Sequence, residues 1–317
     1  MSKEEIISNH QIDQELDGKR LDQAVSQLLP AHSRARIQTW IKTGEILLNG
    51  KPSKQKELVK FGDKIHIQAT LKSNTEVKAE DIPINIVFED NDIIVINKPA
   101  GLVVHPGAGN PNMTLQNALL NHDKKLSLLP RSGIIHRLDK ETSGLLLIAR
   151  NLEVHTFLVD KLQNRDIKRE YLALVCGNIT AGGTINTFMG RHPARRTRMA
   201  VTRSGKQAIT HYRIEKRFAH YTLMKVILET GRTHQIRVHF AHIKHPIVGD
   251  PEYGRHQSII KDITSKTREA VSQFPRQALH AWQLTFPHPA TNESVSFQAE
   301  VPDDIQVLLT ILEQYDV

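Results

Sequence analysis

An α+β fold in two modules is what this chain predicts, and three observations predict it. Strand-like runs outnumber helical ones without regular alternation, which argues for a mixed, largely antiparallel β-sheet rather than a doubly wound one. At 317 residues the chain exceeds one typical domain, so two cores are expected. From Ala69 to Pro83 the composition turns polar and mixed in charge without apolar periodicity, and this break separates a small N-terminal module from a larger one. The expected divisions are a tail at 1–16, a first module at 17–70, a linker at 71–83 and a second module at 84–317.

Composition narrows the partners. Forty-two lysines and arginines against 34 acids leave +8, with a pI near 9.5, an excess that favours a polyanionic partner. No apolar run approaches the roughly 20 residues that span a bilayer, and the start lacks the apolar segment of a secretory signal, so a cytoplasmic protein without a membrane partner is expected. Cys176 is the sole cysteine, which excludes an intramolecular disulfide and a multi-cysteine zinc site; its apolar run makes it a core side chain.

Residues 1–16 are polar and aperiodic, and read as a tail or an edge strand. Leu21, Val25, Leu28 and Leu29 mark one helix, stopped by Pro30. Ser33 is placed to cap a second, with Ile37, Trp40 and Ile41 on one face and Gly44 at its end. Strand-like pieces follow about Asn49-Gly50, and another over Lys64 to Gln68. The module's polar side carries Arg20, Arg34, Arg36 and Lys42, cations expected to face phosphates unless they are only a solvated face.

The second module opens with two strand-like runs between Ile86 and Asn97. Gly107 and Gly109 lack the Gly-Lys-Ser/Thr ending of a phosphate loop, which argues against a nucleotide cofactor. Thr114 and Asn151 are placed to cap helices, and Thr233 to cap one that carries Arg237. Ile135 to Arg150 sets Asp139 among His136, Arg137 and Lys140, just before an apolar run that reads as a buried strand. A carboxylate at a strand's mouth is both held and exposed. Between Arg191 and Lys206 lie Arg191, Arg195, Arg196, Arg198 and Arg203 with no acid, a one-sign loop expected to order on contact with a polyanion. Residues 255–275 read as a polar excursion; a strand over Ala278 to Phe286 and a helix over Asp303 to Leu312 close the chain.

His136-Arg-Leu-Asp-Lys-Glu-Thr-Ser-Gly144 resembles the signature of pseudouridine synthases of the RluA/RluD type. Lys98-Pro-Ala-Gly-Leu-Val-Val-His-Pro106, Arg169-Glu-Tyr171 and His234-Gln-Ile-Arg237 resemble further motifs of that family, in family order. Arg20 to Val25 and Ser33 to Gly50 resemble an S4 RNA-binding domain. The resemblance covers nearly the whole chain and is strongest toward members acting on large-subunit ribosomal RNA. It implies an S4-like domain followed by a pseudouridine synthase domain, with Asp139 as the catalytic aspartate.

The resemblance further implies that Tyr171 and Arg237 hold the substrate base and that Arg137 assists in displacing it, with His136 a structural hydrogen-bonder. An Asp139–Arg237 pair would keep the carboxylate charged in a desolvated pocket, and Tyr171 offers a stacking face. The implied reaction breaks the N1–C1′ bond of a flipped-out uridine and joins C5 to C1′, Asp139 either attacking carbon or removing a ribose proton. The implied target is a stem-loop of large-subunit (23S) ribosomal RNA, free or in a pre-ribosomal particle, or else other ribosomal or transfer RNA sites; neither metal nor organic cofactor is implied, and the default is a monomer. Two rivals remain. His234, His239, His242 and His245 could suggest a metallohydrolase, although no acid lies between them and the spacing is not His-Glu-x-x-His. The other is a non-catalytic RNA-binding protein that works through its S4-like module. Taken singly, Asp139 reads as a surface carboxylate, Tyr171 as core and Arg237 as a structural ion pair; three motifs in order decide otherwise.

Overall fold

The computed structural model describes residues 4–30, 32, 34–71, 77–107, 109–195, 198–254 and 263–316. Ser33, expected to cap a helix, and Arg196 lie outside the described residues, as do 72–76 of the linker and 255–262 of the polar excursion.

In the N-terminal module, β1 (Glu4–Gln11), α1 (Leu21–Leu28), α2 (Arg34–Thr43), β2 (Ile46–Leu48), β3 (Lys51–Pro52) and β4 (Lys64–Leu71) follow in turn. The strands form one antiparallel sheet ordered β1-β4-β2-β3. Of the two alternatives for the first residues, the strand is the one present, and Ile12 and Leu16 beyond it are in the core. Asn49 and Gly50 both have positive φ, 51° and 74°, as the tight β2–β3 turn demands. Leu21, Val25, Ile37, Trp40 and Ile41 fill the core against Ile46, Ile65 and Ile67. The expected linker begins late, since β4 continues to Leu71, and Glu80 beyond it accepts from Met113 N at 2.8 Å.

Two of the expected phosphate-facing arginines are committed internally. The Asp22 side chain, 0% exposed, accepts from Arg20 Nε at 3.1 Å, Arg34 Nη2 at 2.9 Å and Gln38 Nε2 at 2.6 Å. A buried carboxylate needs such partners, so α1 and α2 are joined through it. Arg36 Nη2 reaches the Leu128 carbonyl of the second module at 3.5 Å, and Lys42 stays exposed in the last turn of α2.

The second module runs β5 (Ile86–Glu89), β6 (Ile93–Lys98), α3 (Leu115–His122), β7 (Ser143–Ala149), α4 (Leu152–Gln163), β8 (Lys168–Cys176), β9 (Gly183–Arg191), β10 (Met199–Val201), β11 (Lys206–Arg217), β12 (Tyr221–Leu228), α5 (Gln235–His242), α6 (Ser265–Gln273), β13 (Leu279–Pro287), β14 (Ser294–Gln298) and α7 (Asp303–Tyr315). Its sheet is ordered β10-β9-β11-β12-β8-β13-β7-β6-β5, with β14 beside β13. Neighbours are antiparallel except β7 and β13, which pair in parallel at Ser143–His280 and Gly144–Ala281. The continuous apolar run of β7 follows from burial on both faces: Leu146 and Ile148 belong to the core that also takes in α3, and Leu145, Leu147 and Ala149 to the one that takes in α4. Gly144, at φ 117°, is required because a Cβ there would run into the Ala281 backbone. Among the described residues no helix is long and apolar enough to cross a membrane.

Thr114 and Asn151 cap α3 and α4 as expected, accepting from Asn117 N and Val154 N. The basic stretch after Arg191 is not a bare loop: β10 folds back on β9, and Met199 and Val201 pack against Met189, Val238 and Tyr253. The polar excursion contains α6, capped by Thr264, with Ala270 and Val271 against the core. Asp22→Ala should lower the stability of the N-terminal module by about 2 kcal/mol, the low end for a buried ion pair because water can reach both arginines. Urea titration checks this, and an unchanged midpoint would refute it.

Candidate active site

The polar turn between Leu138 and β7 is held from several sides. Thr142 N donates to the Asp139 carbonyl at 3.1 Å, and Gly101 N to the Lys140 carbonyl at 3.0 Å. Lys98, 0% exposed at the end of β6, donates to the carbonyls of Pro99 at 2.6 Å and Lys140 at 3.0 Å. Burial pushes its ammonium pKa down to about 7. Arg276 reaches the Glu141 carbonyl at 3.2 Å, Gln277 the Thr142 hydroxyl at 3.1 Å, and His280 hydrogen-bonds Ser143 at 3.0 Å. Asp139 therefore projects from a fixed turn, its side chain 16% exposed.

Arg237 meets it from α5. Nη1 donates to Asp139 Oδ2 at 3.1 Å, while Nε and Nη2 form a fork with Asp250 at 2.8 and 3.0 Å. Burial opposes the guanidinium charge, but the hydrogen bonds and charges of Asp250 and then Asp139 outweigh it and raise its pKa. Burial likewise opposes the Asp250 charge, yet Arg237 and the backbone amides of Tyr253 and Glu252 hold that carboxyl below its ordinary value. Gly249, at φ 73°, allows this turn to pass close to the Arg276 carbonyl, which a Cβ would strike.

Thr233 does not cap α5. His234 takes the cap position in a left-handed conformation, φ 56°, and makes no side-chain cap bond. The turn is pinned instead by the Gln235 amide, which accepts from Thr230 Oγ1 at 2.8 Å and Arg232 N at 2.9 Å and donates to the Ile209 carbonyl at 3.0 Å. His234 thereby comes to 3.9 Å from Asp139 Oδ1.

Asp139, Tyr171, Arg237, Arg137 and His136 line one cavity of about 480 Å³, within the size range of small-molecule sites. Tyr171, on β8, is 4% exposed, and burial, with the Asp139 charge, pushes its phenol up to about 12 against Arg169. It stays a neutral ring throughout the ordinary pH range. Arg137 is exposed at the rim. His136 differs from its expected role as a hydrogen-bonder: both ring nitrogens are buried without a partner among the described residues, and burial with the Arg169 charge lowers its pKa to about 3. Asp139, Tyr171 and Arg237 are thus together, as the motifs implied, while Lys98, Asp250, Glu252, Tyr253 and Arg276 are contributors that the sequence reading missed. The signal for three of them was the acid-rich turn Gly249-Asp-Pro-Glu-Tyr253 following the arginine-bearing helix.

The histidine cluster disperses. His239 lies between Thr187 and Thr210, His245 donates to the Cys176 carbonyl, and His234 bonds Tyr253. Among the described residues no three histidine, cysteine or acidic side chains gather as a metal site. Cys176 is buried, and burial pushes its thiol up to about 12. Of the basic residues expected on the large module, Arg191 and Arg195 are exposed near the β9–β10 turn. Arg198 faces inward to Glu252 at 3.5 Å.

A family model described as RNA pseudouridylate synthase matches residues 92–242, and one described as S4 domain matches 19–65. The chain is 46% identical over 297 residues to a ribosomal large subunit pseudouridine synthase D of Xanthomonas campestris pv. campestris, covering 94% of this chain and 90% of that one. It is 48% identical over 298 residues to that of Vibrio cholerae, covering 94% and 92%. For that of Escherichia coli K12 the identity is 47% over 296 residues, covering 93% and 91%. Among solved structures, human RNA pseudouridylate synthase domain containing 4 aligns with TM-score 0.57 at 23% identity, covering 72% of this chain and 93% of its own. Human RNA pseudouridylate synthase domain containing 1 gives 0.56 at 23%, covering 75% and 98%. These two establish the shared fold.

The fork on Asp250 has a pH signature. Because its carboxyl is held below the ordinary aspartate value, its stabilisation is complete above the unfolded pKa and is lost as pH falls through the folded one. Asp250→Asn should cost about 3 kcal/mol near neutrality, with the gap to the unaltered protein closing in acid. Urea unfolding across pH measures this; a gap that stayed constant or widened toward acid would contradict it.

Proposed function

The chain belongs to the RNA pseudouridylate synthase family, and from that premise we propose that Asp139 is the group through which it converts uridines of large-subunit ribosomal RNA to pseudouridine. The reaction class follows from membership: the protein is an RNA pseudouridine synthase. The target rests on relatives named for the large ribosomal subunit and covered over about nine-tenths of their length. A stem-loop is the proposed setting, with the S4 domain as a second RNA contact.

The observation that carries the assignment is the arrangement of Asp139, with one oxygen held by Arg237 at 3.1 Å and the carboxylate facing a cavity beside Tyr171. The isomerisation breaks N1–C1′, forms C5–C1′, releases the C5 proton and leaves a proton on N1, so nothing is oxidised and no external group enters. The uridine must leave its stack to reach such a cavity, at a cost of roughly a few kcal/mol. Stacking on Tyr171, worth about 1–3 kcal/mol, offsets part of that. Arg137 at the rim is placed to fill the gap left by the displaced base. Arg237 keeps Asp139 oriented and offsets its charge as the charge at C1′ changes, whether the carboxylate bonds to carbon or withdraws a ribose proton.

Asp139→Asn preserves shape and removes the charge. Pseudouridine formation in ribosomal RNA should fall by at least about a thousandfold while RNA affinity stays within about twofold. Mapping pseudouridine in RNA from cells lacking the protein, with either form restored, checks site and residue together. Restoration of pseudouridine by the Asp139→Asn form would overturn the assignment of Asp139.

A further inference from the structure

The β9–β10 hairpin is linked toward Asp139 by two hydrogen bonds and one longer histidine–carboxylate contact that the isomerisation itself does not require. Tyr253 Oη accepts from Met199 N at 3.0 Å and sits 2.8 Å from His234 Nδ1. With the amide donating to its oxygen, the phenol's own proton is available to Nδ1, which Glu252 Oε2 also approaches at 3.4 Å; the other ring nitrogen is Nε2. That nitrogen faces Asp139 Oδ1 across 3.9 Å. Burial lowers the His234 pKa against the pull of Asp139, which keeps the ring neutral. A parallel route runs from Arg198, 3.5 Å from Glu252, to Arg237, 3.5 Å from the same carboxylate. The Tyr253 ring lies beneath the Arg237 guanidinium at 5.0 Å.

Met199 stands on the edge strand of the sheet, and its N–H points away from β9 to Tyr253. The hairpin that carries exposed Arg191 and Arg195 therefore docks on the catalytic side of α5 through apolar packing of Met199 and Val201 and through the hydrogen bond of the Met199 amide to Tyr253. His234 is held left-handed at φ 56°, so it has little freedom to find Asp139 unless its outer nitrogen is anchored.

We propose that Tyr253 is a positioning residue that couples seating of the basic hairpin on RNA to the orientation of Asp139, acting through His234. This rests on the assignment of Asp139 given above. A hairpin pressed home by phosphates keeps the Met199 amide on Tyr253, Tyr253 on His234, and His234 against the free oxygen of the carboxylate. With the hairpin lifted, the carboxylate keeps Arg237 on one oxygen and loses its restraint on the other.

The test separates chemistry from binding. Tyr253→Phe keeps the ring under Arg237 and deletes both hydrogen bonds; Met199→Pro deletes the hairpin's donor at an edge position where proline is tolerated, and Met199→Ala, which keeps the amide, controls for the side-chain packing lost with it. Single-turnover conversion of uridine in ribosomal RNA should slow by about ten- to a hundredfold in Tyr253→Phe and in Met199→Pro, with RNA affinity within about twofold. The double variant should be no slower than the slower single one, because both cut the same chain. Multiplying losses, a rate within about twofold of the unaltered protein in either variant, or a defect confined to affinity would overturn the proposal. Thermal midpoints report whether each variant folds, and if one does not, the other decides. Unaltered protein and Asp139→Asn run alongside: normal conversion by Asp139→Asn strikes the assignment of Asp139, whereas normal conversion by Tyr253→Phe with Asp139→Asn inactive strikes only the coupling.

Discussion

The site depends on one guanidinium divided between two carboxylates. Arg237 gives Nε and Nη2 to Asp250 and Nη1 to Asp139. A planar group with fixed donors suits this division, and a lysine ammonium would not, since a single point charge cannot hold a buried carboxylate in a fork and still aim a donor at a second one. Asp250, with its side chain 0% exposed, neutralises the arginine permanently and fixes its plane. The remaining donor then has one direction left, and Asp139 lies along it. Removing Asp250 would free the arginine to collapse onto Asp139 or Glu252, so the orientation of Asp139 depends on a carboxylate that never meets substrate.

The sheet makes this meeting possible between residues 98 positions apart. Asp139 precedes β7, Tyr171 lies on β8, and Arg237 follows β12, while β13 runs between β7 and β8 in the sheet. The parallel contact between β7 and β13 brings Arg276, Gln277 and His280 under the Asp139 turn, where they bind its backbone and hydroxyls. Lys98 holds the same turn from β6. These bonds satisfy polar groups that would otherwise be buried without partners, and they fix the turn before any substrate arrives.

Much of this is legible in the chain, and the gaps have physical causes. Capping by Thr114 and Asn151 can be read because it is a local bond between a short polar side chain and an amide three residues on. The run of β7 reads as buried because nearly every position is apolar. By contrast, α6 is hidden because Ala270 and Val271 are its only apolar residues and its fully buried position is a threonine, Thr267, and β14 because its alternation rests on Val295 and Phe297 alone. Propensity puts the start of α5 at Thr233, whereas the long-range bonds of Gln235 to Ile209 and Thr210 decide it. Asp250, Glu252 and Tyr253 carry no periodic signal; their role exists only once the turn after α5 folds back under Arg237.

The basic residues illustrate how charge on paper differs from charge available to a ligand. Arg20 and Arg34 share Asp22, Arg36 reaches across to the Leu128 carbonyl, and Arg198 turns toward Glu252. What faces outward is Lys42 on α2 and Arg191 and Arg195 at the hairpin. Sequence alone predicts a one-sign loop that orders on contact, yet β10 already pairs with β9 and packs Met199 and Val201 on Tyr253 and Val238. Ordering a free loop costs roughly 1–2 kcal/mol per residue, and a strand already paired has met that cost during folding. On the proposed reading, phosphate contacts there would contribute to holding an unstacked base, because less of their free energy is consumed in ordering the protein. Such outward charge would also offset the repulsion of an approaching backbone by Asp139, Asp250 and Glu252.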